Sequence, residues 1–345
     1  MALSESWRKA LEIADNSLVP WDSFKHSTVV VTGSTGLIGS QLVRAIIEWS
    51  RRNDGGVNLI LPVRNIKKAR SFFGEYKDIT YLQWSIADPL PSSISGDYFV
   101  HAACPTSSDA FLHRPVEVIS EVVKSTESVI NLLREKKFMH CVYLSTMEIY
   151  GDVKGKVDEH INGIIDTMNP RSSYPEAKRL SECLLSSAVS EYGISASVLR
   201  LSQTFGVGVP KNDGRVFAEF GRCAVNGNDI ILYSDGSKRN SYLSVNDAVA
   251  AILFLLAYGK TGEAYNAANP ATFCSILDMA SLVVQEYGKG RISVLFGSDS
   301  ERSKSFRHGN ILDLDCGKLL ALGWSPVESL RDMYTSMLSG WLNNE

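Results

Sequence analysis

The stretch that decides the fold is TVVVTGSTGLIG, residues 28–39. It opens with an apolar, β-branched run over residues 28–32 that is typical of a buried strand, and it leads into the periodic segment 41–49, which predicts a helix. Gly33, Gly36 and Gly39 stand between them with G-x-x-G-x-x-G spacing. Strand, glycine loop and helix in this order form the first half of a βαβ unit.

A glycine loop in this position leaves bare backbone N–H groups at the N-terminus of the helix, where they can bind the pyrophosphate of a dinucleotide. Glycine is needed because a Cβ would block the close approach of the ligand. A glycine triplet alone also occurs in ordinary turns, so the interpretation depends on the strand before it and the helix after it. We therefore predict a dinucleotide site at this loop.

Basic residues follow the second predicted strand, where an acidic side chain would bind the ribose hydroxyls and favour NAD. Arg64 ends that strand, and Lys67, Lys68 and Arg70 come shortly after it. Such a cluster predicts either a site for the 2′-phosphate of NADP or a solvated face of a basic helix. We favour the NADP interpretation, and the expected cofactor is NAD(P)+.

Strands and helices alternate along the first part of the chain, which predicts an α/β fold: a Rossmann doubly wound parallel sheet with a smaller C-terminal substrate lobe. Further strands are predicted at 57–63, 79–84, 97–101, 141–144, 196–201 and 229–233, and further helices at 4–15, 116–135, 175–192, 215–226, 245–256, 275–287 and 327–342. We divide the chain into an N-terminal helical extension (1–26), a Rossmann dinucleotide-binding domain (27–205) and a substrate-binding lobe (206–345) partly interleaved with the sheet.

The composition is that of an ordinary globular protein. The chain has 345 residues, of which 44% are apolar and 21% charged, and its net charge is −3. Because no basic stripe and no long apolar run stands out, we expect a small-molecule partner rather than nucleic acid or a membrane. The six cysteines form no C-x-x-C pair and the six histidines show no ligand spacing, so no metal is predicted. No signal peptide is recognised, and a cytoplasmic location is expected.

Polar residues follow the apolar run 141–144 at Ser145, Thr146 and Glu148, where the strand of a parallel sheet would end and where ligands bind in such sheets. Taken alone, this stretch reads equally well as a polar loop with a capping serine or threonine.

The segment RSSYPEAKR, residues 171–179, opens a predicted helix, because Ser173 and Glu176 have capping-box spacing. Tyr174 and Lys178 are four residues apart and therefore share one helix face near its positive end. A lysine ammonium disfavours the protonated phenol, as would a nicotinamide cation beside it. With both charges present, the pKa of Tyr174 is expected to be lowered and the phenol to serve as a base for an alcohol proton. A Tyr-x-x-x-Lys pair by itself is common on helix surfaces.

Together these motifs resemble the extended short-chain dehydrogenase/reductase family, which comprises NAD(P)-dependent nucleotide-sugar epimerases, dehydratases and decarboxylases. The resemblance runs from residue 28 to the end of the chain. Within it, the sequence is most similar to the UDP-glucuronate decarboxylases (UDP-xylose synthases). The segments that carry this likeness are 88–90, 101–107, 146–151, 171–174, 178–179 and 213–216.

The resemblance implies a mechanism. Tyr174 takes the proton from the sugar C4 hydroxyl while C4 gives a hydride to the nicotinamide, Thr146 holds that oxygen, and Lys178 holds the ribose and tunes Tyr174. The 4-keto sugar is then acidic at C5, where Glu148 matches the family glutamate. A dehydratase or a decarboxylase uses this acid, whereas a simple 4-epimerase usually lacks it.

The same likeness implies further contacts. Expected cofactor contacts are Gly33, Thr35, Gly36, Leu37, Ile38, Gly39, Arg64, Ser85, Ile86, Ala102, Ala103, Ser145, Tyr174, Lys178 and Leu201. Expected substrate contacts are Thr106, Gln203, Arg215 and Arg239, the two arginines at the diphosphate or a uronate. His101 is expected as a strand-end residue beside the cofactor. A homodimer through the helices at 116–135 and 175–192 is also implied.

The chain departs from the family pattern at several positions. Met147 stands where dTDP-glucose dehydratases carry a proton-donating aspartate, and Asn240 stands where decarboxylases have an arginine, with Arg239 one place early. Gln203 replaces an asparagine and Ser85 replaces the aspartate that touches adenine.

Several functions therefore stay open. The leading one is a decarboxylase or 4,6-dehydratase of nucleotide sugars, a lyase of carbohydrate metabolism. The enzyme alternatives are a 4-epimerase, which is an isomerase, and an NADPH-dependent 4-keto-sugar reductase. A cofactor-binding protein that has lost catalysis is the alternative outside the enzymes.

Overall fold

The structure, a computed structural model, describes residues 4–298 and 311–343. Residues 1–3 of the predicted extension and residues 299–310 and 344–345 of the predicted lobe lie outside the described residues. The strands are β1 (Thr28–Thr32), β2 (Asn58–Val63), β3 (Ile79–Gln83), β4 (Tyr98–His101), β5 (His140–Thr146), β6 (Lys154–Val157), β7 (Ala196–Leu201), β8 (Gln203–Phe205), β9 (Ile230–Leu232), β10 (Arg239–Ser244), β11 (Ala264–Ala267), β12 (Asn269–Ser275), β13 (Val294–Phe296) and β14 (Ile311–Leu314).

Helices connect most of these strands. They are α1 (Glu5–Ala14), α2 (Leu37–Arg52), α3 (Ile66–Phe73), α4 (Ser108–His113), α5 (Pro115–Glu135), α6 (Ser173–Tyr192), α7 (Val216–Asn226), α8 (Val245–Tyr258) and α9 (Ile276–Tyr287), followed by Gly317–Leu320 and Leu330–Leu342. Short 3₁₀ turns cover Trp21–Phe24, Met147–Tyr150 and Pro170–Ser172.

Seven strands form the main sheet in the order β11-β7-β5-β4-β1-β2-β3, and every neighbouring pair is parallel. The doubly wound parallel sheet predicted from the sequence is confirmed. The edge strand β11 of this sheet is not among the predicted strands, because the segment AYNA is short and lacks β-branched residues.

Alternate residues of each strand face opposite sides of the sheet. Val29 and Val31 of β1 lie in a core with α2 and α8, whereas Val30 lies in a second core with α5 and α6. Helices therefore cover both faces, which is why the central strands read as continuous apolar runs.

The order of the strands reverses between β1 and β4, since the chain builds β2 and β3 on one side of β1 and then returns to its other side. Ligands of open α/β sheets bind at the carboxyl ends of the strands beside this reversal. The segments that begin at Gly33, Ala102 and Ser145 all lie at that end.

The remaining strands form a smaller unit. β12, β10, β14 and β6 pair in that order, with β8 added to β10, and β13 pairs with β9. Its core is built around Phe205, which stacks on Phe217 at 4.4 Å between ring centroids and meets Tyr242 edge-on. The proposed division at residue 205 stays an interpretation, because α8 and β11 come after it in the chain and pack with the main sheet.

The N-terminal segment packs on the main sheet's helices. Gln41 of α2 donates a hydrogen bond from Nε2 to the backbone oxygen of Ser6 at 3.1 Å. Trp21 stacks on Trp49 with ring centroids 5.1 Å apart. The segment is thereby part of the core beside α2.

Candidate active site

The glycine loop is held between β1 and β4 by close backbone contacts. Gly33 has a φ of +69°, and a Cβ there would lie 2.5 Å from the backbone carbonyl group of Ala102. A Cβ on Gly39 would lie 2.3 Å from the oxygen of Gly33. Both positions therefore exclude any side chain, because the loop packs directly against β4 and against the first turn of α2.

The remaining glycine leaves the start of α2 open. Gly36 is the N-cap residue, and no side chain caps the helix there. Beside it the hydroxyl of Ser34 is buried and has no hydrogen-bond partner among the described residues. An uncapped helix N-terminus next to an unpaired hydroxyl fits the pyrophosphate of a dinucleotide. Thr35, Leu37 and Ile38 line the same loop and are partly exposed.

Three predicted catalytic side chains meet at the end of β5. The side chains of Tyr174 and Thr146 lie beside each other. Lys178, one helical turn beyond Tyr174, donates from Nζ to the backbone oxygen of Leu144 at 2.7 Å and to the hydroxyl of Tyr143 at 3.2 Å. Tyr174 and Lys178 are 8% and 3% exposed. The cluster is therefore fixed by the sheet and by α6.

Burial dominates the electrostatics of this cluster. It raises the pKa of Tyr174, with a further increase from Cys104, and the lowering by Lys178 is smaller. In the protein without cofactor the pKa is not lowered, because removal of the phenol from water outweighs one nearby ammonium, and the lowering expected with a nicotinamide cation also present stays a prediction. Burial, then the charge of Lys178, lowers the pKa of His101 to about 3.

His101 is a neutral, structural residue at neutral pH. One ring nitrogen is 2.8 Å from the hydroxyl of Thr32, and the ring packs against Tyr143 at 5.5 Å. The histidine thus links the ends of β1, β4 and β5 beneath the cluster.

Glu148 lies in the 3₁₀ turn after β5, beside the cluster. Its backbone N–H donates to the hydroxyl of Thr146 at 3.2 Å, and its Oε2 accepts a hydrogen bond from Nη2 of Arg171 at 2.9 Å. The Glu148 side chain is 31% exposed. The carboxylate is therefore open to a ligand, unlike the buried Tyr174.

Ser145 points away from the reactive tyrosine. Its hydroxyl donates a hydrogen bond to Glu182, which also forms a partly buried ion pair with Arg200 at 2.7 Å. Successive residues of β5 alternate in direction, which separates Ser145 from Thr146. The cofactor contact expected from Ser145 stays a prediction.

The capping box expected at the start of α6 is wrong. The 3₁₀ turn Pro170–Ser172 runs directly into the helix, so Ser173 is already helical and no side chain caps the N-terminus. The hydroxyl of Ser173 is buried and has no described partner, while the hydroxyl of Ser172 donates to the backbone oxygen of Asp166 at 2.6 Å.

The residues expected at the nucleoside end of the cofactor surround the same edge of the sheet. Arg64 is exposed directly after β2, and its backbone oxygen accepts a hydrogen bond from Gln83 at 2.7 Å. Ser85, Ile86, Ala102 and Ala103 follow β3 and β4, and Leu201 ends β7. Their roles in cofactor binding stay predictions.

The residues expected to bind substrate lie after β4 and in the smaller unit. Arg215 is held by Asp213 through hydrogen bonds that include Nε to Oδ1 at 3.0 Å and Nη2 to Oδ2 at 2.7 Å. Arg239 is exposed, with its guanidinium 4.4 Å from the centroid of the Phe273 ring. Thr106 is exposed after β4, and Gln203 begins β8.

Asn240 faces the opposite side of β10 from Arg239, because neighbouring strand residues alternate. It is buried, and its side chain lies beside the hydroxyl of Tyr242. Because the arginine of this chain is residue 239 and not residue 240, its charge lies on the other face of β10.

Sequence reasoning missed three neighbours of the cluster. Phe111 of α4 stacks on Tyr174 with ring centroids 4.5 Å apart, Cys104 lies beside Lys178, and Arg171 pairs with Glu148. Cys104 and Arg171 lie inside segments already noted as signatures, which was the available signal. No sequence signal pointed to Phe111, because an aromatic residue on a short helix is usually part of the hydrophobic core.

Within residues 4–298 and 311–343, no group of three or more His, Cys, Asp and Glu side chains is arranged to hold a metal ion. Over the same residues, no helix combines the length and the apolar character needed to cross a bilayer.

Known proteins resemble this chain in sequence. A model of the NAD dependent epimerase/dehydratase family matches residues 29–268. UDP-glucuronic acid decarboxylase 1 of Xenopus tropicalis is 26% identical over 309 residues, which are 88% of this chain and 69% of that protein.

Two solved structures share the fold. UDP-glucuronic acid 4-epimerase of Bacillus cereus, in complex with UDP-glucuronic acid and NAD, superposes with a TM-score of 0.76 at 19% identity over 92% of this chain and 100% of that one. A dTDP-glucose 4,6-dehydratase of Streptomyces venezuelae with NAD bound gives a TM-score of 0.73 at 18% identity over 92% and 97%.

Proposed function

The chain belongs to the NAD-dependent epimerase/dehydratase family, and from this we propose that it is an enzyme that oxidises C4 of a nucleotide-diphosphate sugar, acts at C5 or C6, and then reduces C4 again. We propose decarboxylation of a nucleotide-linked uronate as the net reaction, with 4,6-dehydration as the related outcome. The similarity to UDP-glucuronic acid decarboxylases over 88% of the chain supports this choice.

The observation that carries the proposal is the position of Glu148. The hydroxyl of Thr146 lies beside the Tyr174 side chain and accepts a hydrogen bond from the backbone N–H of Glu148. A sugar whose C4 oxygen lies at Tyr174 would therefore have its C5 side near the Glu148 carboxylate. An acid at this place is needed for chemistry at C5 and not for simple epimerisation at C4.

Each residue has a defined task in this proposal. The hydroxyl oxygen of Tyr174 takes the C4 hydroxyl proton, Thr146 holds that oxygen, and Lys178 stabilises the phenolate as a buried ammonium. The bound nicotinamide dinucleotide supplies reversible hydride transfer at C4. The resulting 4-keto uronate is a β-keto acid that can lose carbon dioxide, and Glu148 assists proton transfer at C5.

The glycine loop Gly33–Gly39 would hold the pyrophosphate of the cofactor. We propose NADP rather than NAD, because Arg64 is an exposed cation directly after β2 where an acid would favour NAD. Titration with both cofactors tests this. Tighter binding of NAD than of NADP would mean that Arg64 is no phosphate clamp.

A second candidate is 4-epimerisation. It is favoured by Asn240, which stands buried where decarboxylases have an arginine and leaves that face of β10 without a cation for the uronate.

Mass spectrometry tests both candidates. The protein is incubated with either cofactor and with UDP-glucuronate or UDP-, dTDP-, GDP- and CDP-sugars. We expect loss of carbon dioxide from the uronate. Loss of water would identify a dehydratase, and unchanged mass with a new isomer would identify an epimerase. No reaction with any sugar would favour a protein that binds the cofactor without catalysis.

A further inference from the structure

Arg171 contacts the reactive cluster but has no task in the reaction proposed above. Its Nη2 is 2.9 Å from Oε2 of Glu148, and the two side chains are 35% and 31% exposed. Partly exposed ion pairs of this kind contribute little to stability, so folding alone gives little reason for the pair. Its more informative feature is the direction that it imposes on the Glu148 carboxylate.

Both partners extend from short, hydrogen-bonded turns. The backbone N–H of Arg171 donates to Oδ1 of Asn169 at 3.0 Å, and this caps the 3₁₀ turn Pro170–Ser172. On the other side, the backbone N–H of Glu148 donates to the Thr146 hydroxyl. Because these hydrogen bonds hold both backbones, the Arg171 and Glu148 side chains can form their ion pair in few geometries.

An aromatic ring also restricts the guanidinium. The Cζ of Arg171 lies 4.9 Å from the centroid of the Phe111 ring, and Phe111 stacks on Tyr174 at 4.5 Å with an angle of 18° between the planes. Phe111 is buried, so its position is set by the core. A planar guanidinium over a fixed ring keeps its N–H groups aimed in one direction.

We propose that Arg171 is a positioning residue for Glu148: it holds Oε2 so that Oε1 points to C5 of the sugar bound at Tyr174. No described residue donates a hydrogen bond to Oε1, which is therefore available to substrate. The inference rests on the proposed function, because it needs Glu148 to act at C5. Arg171 acts through Glu148 and needs no contact of its own with the sugar.

A double-mutant cycle tests the inference on the full chain loaded with cofactor, with UDP-glucuronate or, if another sugar reacts in the screen above, that sugar as substrate. The variants are Arg171→Ala, Glu148→Gln and the double variant. Arg171→Lys keeps the charge but loses the planar fork, and it serves as a second variant if the alanine variant is unstable. Arg52→Ala is the matched control, because Arg52 forms an exposed ion pair with Asp15 at 2.7 Å at the far end of α2.

Misplacement of a catalytic group by about 1 Å can lower the rate by about 10²-fold. We therefore expect Arg171→Ala to lower kcat by about that factor with KM nearly unchanged, and Arg171→Lys to recover part of the loss. Arg171→Ala should also slow deuterium uptake at C5 from heavy water. In the Glu148→Gln background the same substitution should have almost no further effect, since its target is already gone. Arg52→Ala should behave as the wild type.

An equal loss from Arg171→Ala in both backgrounds would overturn the inference, because the arginine would then act on the substrate or on Phe111. Unchanged kcat in Arg171→Ala with a strong loss in Glu148→Gln would also overturn it and leave the proposed function standing. If Glu148→Gln itself turns over normally, the proposed role of Glu148 is wrong, and the inference falls with it.

Discussion

The reactive cluster on the main sheet and the predicted substrate residues on the smaller unit differ in how they are held. Tyr174 and Lys178 are buried, and Nζ of Lys178 donates a hydrogen bond of 2.7 Å to the backbone oxygen of Leu144 in β5. Arg215 is bound to its neighbour Asp213, and Arg239 lies exposed on Phe273.

The difference shows which part of the site is complete without a ligand. Backbone geometry at the carboxyl ends of parallel strands sets the reactive groups, so they need little rearrangement. The arginines have local partners that a diphosphate or uronate would have to replace. In the proposed function, the sheet therefore fixes the catalytic groups, and recognition of the substrate depends on an exchange of side-chain partners.

The largest effect is expected from a change in the cluster on the main sheet. We expect Tyr174→Phe to lower kcat by about 10⁴-fold, because the proton acceptor is lost. The ring should still stack on Phe111, so the thermal unfolding midpoint should stay close to that of the wild type. Product formation by mass spectrometry measures the loss. Turnover near the wild-type rate would show that another group takes the proton.

The second prediction concerns acid sensitivity beneath the cluster. The pKa of His101 is about 3 in the folded protein, against about 6.5 in the unfolded chain. The unfolded chain binds the extra proton between these values, so stability is lost as the pH falls from 6.5 towards 3. Between pH 7 and pH 4, the protonation of this one histidine should lower the free energy of unfolding by about 3 kcal/mol.

Urea unfolding of His101→Gln at both pH values measures this contribution. Glutamine cannot titrate, so the variant should lose less stability on acidification than the wild type. The exposed His160 offers the control, since His160→Gln should keep the wild-type slope. An unchanged slope in His101→Gln would place the acid-sensitive group elsewhere.

The third prediction separates backbone strain from steric exclusion in the glycine loop. Gly33 and Gly193 have nearly equal φ, +69° and +66°, but a Cβ on Gly193 would meet nothing within 4 Å. We expect Gly193→Ala to cost about 1 kcal/mol of unfolding free energy from its backbone conformation alone. Gly33→Ala should cost about 3 kcal/mol or more, because its Cβ also collides with Ala102.

Denaturant unfolding compares the two variants, and cofactor titration should show weakened binding only in Gly33→Ala. Equal losses of stability in both would mean that the contact with Ala102 relaxes without cost.

The smallest effects are expected at the arginines. Arg215→Ala should raise the substrate KM about tenfold, as expected for the loss of a charged hydrogen bond to an anionic ligand. Arg239→Ala should act in the same direction. If KM stays constant in Arg215→Ala, the ion pair with Asp213 is its only role, and the contrast between chemistry and recognition would need another set of substrate residues.

Much of the fold could be predicted from the sequence, because it depends on local patterns. The β-branched run before Gly33 and the periodic segment after Gly39 determine a strand, a loop and a helix within a short stretch. The pair Tyr174 and Lys178 follows from helical spacing in the same way. These features involve residues close in the chain, which is where sequence patterns are informative.

Only the tertiary structure decided what lies beside these groups. Phe111 reaches Tyr174 and Arg171 reaches Glu148 across long separations in the chain, and the edge strand β11 joins the main sheet from a segment without strand character. The direction of the shift in the Tyr174 pKa also depends on the tertiary structure, because the phenol is buried by packing from every side. Sequence patterns report local geometry, whereas burial and distant contacts arise only when the chain has folded.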